Sequence, residues 1–100
     1  MAASHLERLG YTVLKTASNK GLIFDLVAYD HHHTYFITAR RGRDHQTAKD
    51  IIQAHQDLII EMQSTQVPET VEKQLWVYQK NDGFVVYRLF EKGLMKKESL

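Results

Sequence analysis

The order of helix-like and strand-like segments predicts an α/β (α+β) fold, a mixed sheet of about five strands flanked by helices in the order α-β-β-β-α-β-β. Three observations carry this. Residues 22–40 hold two strand-like runs joined by Asp30-His31-His32-His33, a four-residue hairpin connection. Residues 45–63 place Ala48, Ile51, Ile52, His55, Leu58, Ile59 and Met62 on one helical stripe, the best periodicity in the chain. Residues 74–90 hold two further strand-like runs joined by Lys80-Asn81-Asp82-Gly83, where Asp-Gly signals a tight hairpin.

Each element has its local reason. Ala3, Leu6 and Leu9 form a short helical stripe over residues 2–9, and Gly10 is placed to end it. Tyr11–Thr16 reads as a strand, and Ser18-Asn19-Lys20-Gly21 as a turn. Leu22–Tyr29 and Thr34–Arg40 form the first hairpin, and hairpin strands are antiparallel. Asp44 is positioned to cap the long helix, which crosses over and covers one sheet face. Pro68 punctuates a polar stretch before the strands at 74–79 and 84–90. The tail from Glu91 reads as frayed or as a short helix.

Composition bounds the function. With 100 residues, 43% hydrophobic and 25% charged, the chain reads as one domain spanning 1–100. A core this small leaves room for a homodimer or partner interface. The absence of cysteine excludes disulfides, thiolate zinc sites and a cysteine nucleophile, and fits a cytoplasmic setting. No apolar run approaches the roughly 20 residues of a membrane span, and no signal peptide is visible, so no membrane partner is expected. Neither a glycine-rich phosphate loop nor a G-x-S-x-G elbow is present. The net charge of +1 does not by itself argue for nucleic acid. Its distribution says more: Arg40-Arg41-Gly42-Arg43 is a dense basic run, followed by His45 and a helix start. Guanidinium groups and helix N-terminal amides both suit phosphates.

Centring the first hairpin between His31 and His32 makes paired residue numbers sum to 63. Tyr29 then faces Thr34, Val27 faces Phe36 and Asp25 faces Thr38. Side chains alternate along a strand, so Thr38 and Arg40 share a face. Asp25 would stand about 5 Å from Thr38 at Cβ, with Arg40 on the diagonal. A carboxylate inside Ile23-Phe24-Asp25-Leu26-Val27 needs a partner, because burying an unpaired charge is costly.

These residues carry a family resemblance. Glu7 on a first helix, Gly21 and then Phe24-Asp25-Leu26-Val27-Ala28, and Phe36-Ile37-Thr38-Ala39-Arg40 on the next strand resemble the PD-(D/E)XK, or restriction-endonuclease-like, nucleases. The archaeal Holliday-junction-resolvase-like branch is the most similar, and the later Leu75-Trp76-Val77-Tyr78 and Gly83-Phe84-Val85-Val86-Tyr87-Arg88 segments resemble its ending. The resemblance covers roughly residues 5–90. It implies that an Asp and a Glu on adjacent strands bind Mg²⁺, that a Lys two residues on positions the attacking water, and that a helix acid assists. Asp25 matches the Asp, and Glu7 the helix acid. Thr38 stands in the place of the Glu, and Arg40 in the place of the Lys. Thr38 offers Mg²⁺ a neutral hydroxyl where the ion wants anionic oxygen. Arg40 keeps the positive charge but does not give up a proton near neutral pH. Asp44, Asp50 and Gln53 on the long helix are candidates for a migrated ligand.

The expectation is therefore a nuclease-fold protein, catalytically impaired, that binds DNA or another nucleic acid through Arg40, Arg41, Arg43, His45 and Lys20. Asp25 is the metal-ligand candidate that matches the family position, beside the migrated candidates named above. Two alternatives stay open. One is an active Mg²⁺-dependent endonuclease built on Asp25, Glu7 and a migrated residue. The other is a protein-interaction module or dimer with no nucleic acid. His31-His32-His33 reads as a solvated loop, since adjacent side chains in a turn do not converge on a metal. His55 reads as a packed histidine of the helix stripe. Trp76, Tyr78, Phe84 and Tyr87 read as core or dimer face rather than base-stacking surface.

Overall fold

The computed structural model describes residues 2–16, 23–43, 46–80 and 83–97. Among these lie three helices and six strands: α1 Ala2–Arg8, β1 Thr12–Lys15, β2 Leu26–Tyr29, β3 Thr34–Arg41, α2 Ala48–Ala54, α3 Gln56–Ser64, β4 Val71–Gln79, β5 Gly83–Phe90 and β6 Gly93–Lys97. The strands form one sheet in the order β1-β2-β3-β4-β5-β6. Only β3 and β4 are parallel; the other neighbours are antiparallel. The crossover between β3 and β4 carries α2 and α3.

Alternation along the strands builds two apolar layers. On one face Leu26, Ala28, Tyr35, Ile37 and Trp76 are buried against Ala2, Ala3 and Leu6 of α1. On the other face Leu75, Val77, Tyr87 and Leu89 pack with Phe24 against Ile51 of α2 and Ile59 and Met62 of α3. Complete burial of side chains of this size contributes about 1.5–3 kcal/mol each. The sheet is thus covered by α1 on one face and by α2 and α3 on the other.

The first hairpin has the expected register, Tyr29↔Thr34 through Leu26↔Ile37. Its turn is set by Asp30, whose carboxylate accepts from the His32 and His33 amides at 2.8 and 2.7 Å. Gly10 follows α1 with φ +94°, the left-handed conformation that closes a helix.

Four expectations are corrected. The sheet has a sixth strand: the tail doubles back through Glu91 and Lys92, Phe90 pairs with Gly93, and Leu94 packs on the α2/α3 layer. The single long helix is two, because His55 leaves helical geometry at φ −117°, ψ 22°. The ladder still runs through this point: His55 donates to the Ile51 carbonyl and accepts from the Ile59 amide. α2 begins at Ala48, and its cap is Thr47, which forms a reciprocal capping box with Asp50. Asp44, the expected cap, lies outside the described residues. Finally, β2 is shorter than the apolar run and begins at Leu26.

A buried lysine fixes the end of α3. Lys73 on β4 donates from Nζ to the carbonyls of Met62, Gln63 and Thr65 at 2.8, 3.0 and 2.9 Å. Those carbonyls would otherwise be left unpaired where the helix stops. On the opposite sheet face a polar chain crosses three strands. Trp76 donates to Gln74, Gln74 donates to Glu72, and Glu72 also holds Lys97 at 2.7 Å and Arg88 at 3.4 Å. Burial pushes the Glu72 carboxyl up, but the bonds from Lys97 and Gln74 and the nearby charges outweigh it and hold it below the usual range.

Candidate functional site

The structure brings Asp25, Thr38 and Arg40 together where β2 begins and β3 ends. The expected Asp25–Thr38 pair is corrected: the Asp25 amide donates at 2.8 Å to Ile37, which already stands opposite Leu26, so two residues oppose one and the register breaks before Thr38. The Asp25 carbonyl accepts from Thr16 at 3.0 Å. The Asp25 carboxylate does two things with one oxygen. Oδ2 accepts from the Ala39 amide at 2.9 Å and from Arg40 Nη1 at 3.0 Å. The same Arg40 nitrogen donates to the Ala39 carbonyl at 2.8 Å. Thr38 is fully buried, and its hydroxyl donates to the Ile23 carbonyl at 2.8 Å. Together these bonds stitch the chain entering β2 to the last residues of β3.

This donor set does not fit Mg²⁺. The ion needs several hard oxygens, usually from more than one carboxylate. Here one carboxylate is held by an amide and a guanidinium, and the neighbouring hydroxyl is buried and donates to a carbonyl. Among the described residues no group of three or more His, Asp or Glu is arranged to hold a metal ion.

The other candidates are scattered. Glu7 is exposed on α1, across the sheet from the Arg40 side chain. Asp50 is occupied in the capping box with Thr47. Gln53 lines an open groove with Arg40, His55, Gln56, Asp57 and Glu61 along α2 and α3. Lys20 and His45 lie outside the described residues.

The basic run does not act as one surface. Strand alternation sends Arg40 toward α2 and α3 and Arg41 to the α1 face, beside Tyr78 in register. Arg43 is exposed, and its amide donates to Gln46 Oε1 at 2.9 Å. Between them Gly42 donates to the Tyr78 carbonyl at 2.8 Å. A Cβ at Gly42 would lie 2.6 Å from Val77 Cγ1 and 2.7 Å from Gln46 Oε1. Glycine here is a requirement of close approach.

His55 sits at the junction of α2 and α3, half-buried in the Arg40 groove. Burial, and then the Arg40 charge, push its imidazole below the usual histidine range. His31, His32 and His33 are exposed on the hairpin turn, and the His33 ring stacks on Tyr35 at 5.8 Å. Trp76 and Tyr87 are core residues, whereas Tyr78 and Phe84 are only half-buried. Their rings meet at 5.2 Å, and His5 of α1 lies 6.3 Å from Phe84. Nothing in the spacing of the sequence ties His5 to Phe84, because the sheet and α1 bring them together.

In comparison with known proteins, this chain matches no family model and no curated protein.

Proposed function

We propose that this protein is a restriction-endonuclease-like, nucleic-acid-binding domain without metal-dependent cleavage. The observation that carries the reading is the Asp25 carboxylate, one residue before β2, at the position to which the resemblance gives a metal ligand. It is tied to the Ala39 amide and the Arg40 guanidinium. Arginine at position 40 turns the position into an ion pair, and a buried Thr38 supplies no second charge. On this reading the Asp25–Arg40 pair occupies the place of a nuclease site and lacks the groups for its chemistry. Exposed Arg41 and Arg43 at the same strand end supply charge for phosphates.

The test is incubation of the full chain with branched and linear duplex DNA and Mg²⁺ or Mn²⁺. Binding is expected without cleavage. Its affinity should fall steeply with salt, because neutralised phosphates release counterions. Replacing Arg41 and Arg43 with Ala should weaken it evenly across sequences. Metal-dependent cleavage that disappears in Asp25→Ala would overturn the proposal in favour of an active, rearranged enzyme.

A second reading, self-association, draws on a specific feature. The outer strands β1 and β6 carry exposed apolar side chains, Leu14 at 54% and Met95 at 54%. Edge strands with such residues are open to pairing with another copy. A monomer by sedimentation across a wide concentration range would dismiss it.

A further inference from the structure

We infer a binding platform for unpaired bases of single-stranded nucleic acid on the α1 face of the sheet, formed by Tyr78, Phe84 and His5 and edged by Arg41. This rests on the nucleic-acid-binding reading above and names the form of the ligand.

The platform follows from register. Arg41 of β3, Tyr78 of β4 and Phe84 of β5 are lateral neighbours on one sheet face. Further along that face Trp76 is fully buried in the layer that α1 covers, with the His5 ring 5.8 Å from its own. Tyr78 and Phe84 are left half-buried, and His5 and Arg41 are exposed. The Phe84 ring packs edge-on to both Trp76 and Tyr78, at 5.2 Å in each case. These contacts fix the rings while leaving part of each open. A rigid aromatic surface of this kind accepts any base by its π-face, and the cost of ordering it is already met in the fold.

Charge selects the occupant. Arg41, Arg43 and Lys80 are exposed around the same strand ends. The Gly42–Tyr78 backbone bond fixes the arginine segment to the strand that carries the Tyr78 ring. Aromatic rings with guanidinium and ammonium groups beside them suit a base and its flanking phosphates. A duplex keeps its bases stacked inside and offers this surface only backbone. The Asp25–Arg40 pair points to the opposite face, so the platform is separate from the degenerate nuclease site.

The test uses the full chain with a labelled oligo-thymidine strand, a duplex of equal length, and a strand carrying 2-aminopurine. Tyr78→Leu and Phe84→Leu keep apolar packing but remove the ring. Each should weaken single-strand binding about tenfold, since base–aromatic stacking is lost. Duplex binding should change less than twofold. Wild type should quench 2-aminopurine, and Tyr78→Leu should not. Arg41→Ala should weaken both forms and lower the salt dependence. Circular dichroism and the melting transition identify a variant that has failed to fold, and His5→Ala, on an exposed position, then serves in its place. Duplex binding with full single-strand affinity in Tyr78→Leu and Phe84→Leu overturns the platform alone. Binding of neither form overturns both the platform and the broader function.

Discussion

Asp25→Ala tests what the central carboxylate does in this fold. The substitution removes the acceptor for the Ala39 amide and the partner of Arg40. These losses differ in size. The Ala39 amide is partly buried, and an orphaned donor there costs about 1–3 kcal/mol. The ion pair is a weaker contributor, because the Arg40 and Asp25 side chains are 40% and 43% exposed. Solvent screens such a pair to about 1 kcal/mol or less. Asp25→Ala should therefore destabilise by about 1–3 kcal/mol, with Arg40→Ala below about 1 kcal/mol. Asp25→Asn should fall between wild type and Asp25→Ala, because its amide oxygen can still accept from Ala39. Urea unfolding of wild type, both single variants and the double variant gives these values and the coupling. A coupling above about 2 kcal/mol would show that the ion pair, rather than the backbone anchor, dominates. A gain in stability for Asp25→Ala would be worse for the reasoning. It would mark the carboxylate as a residue kept at a cost to the fold, as functional groups often are.

Three further outcomes follow from the geometry. Gly42→Ala should cost about 1–3 kcal/mol, because its Cβ meets the buried Val77 side chain, and a normal melting temperature would contradict the close approach. Lys73→Met should cost about 1–3 kcal/mol by leaving carbonyls at the α3 end unpaired, measured by the same denaturant titration. His55 titrates below its ordinary value of 6.5 in the folded chain, so the unfolded chain binds more protons as pH falls below that point. Stability present above pH 6.5 should thus be lost on acidification toward the folded-state value, and His55→Gln should flatten that stretch of the melting-temperature profile.

Local signals carried much of the fold. The first hairpin was legible because Asp30 makes a turn whose geometry fixes the register, and a register fixes every cross-strand pair after it. That register holds as far as Leu26↔Ile37 and brings Asp25 near Arg40, but it breaks at Asp25, whose amide also bonds Ile37, so the pairing of Asp25 with Thr38 read from spacing does not form. The two-helix crossover was legible only as one stripe, since no Gly or Pro marks the departure at His55. β6 was missed for a different reason. Its partners are distant: Lys97 reaches Glu72, and Leu94 faces a layer built by α2 and α3. A strand held by such contacts need not show strong alternation of its own. The occupied state of the Asp25 carboxylate was likewise out of reach. A sequence shows that a charge needs a partner, but not that a backbone amide will be one.

The lysine at the end of α3 has a consequence for chemistry performed on the protein from outside. Acylating reagents react with a free amine that they can reach. The Lys73 amine is 9% exposed as a residue, and its nitrogen is held by three carbonyls. Lys80 and Lys92, by contrast, are exposed. In a mixture pulsed with reagent, Lys80 and Lys92 record contact with solvent, while Lys73 records only the moments when α3 separates from β4. The ratio of the two labels makes this amine a built-in clock for the opening of one sheet face, readable by mass spectrometry without any added probe.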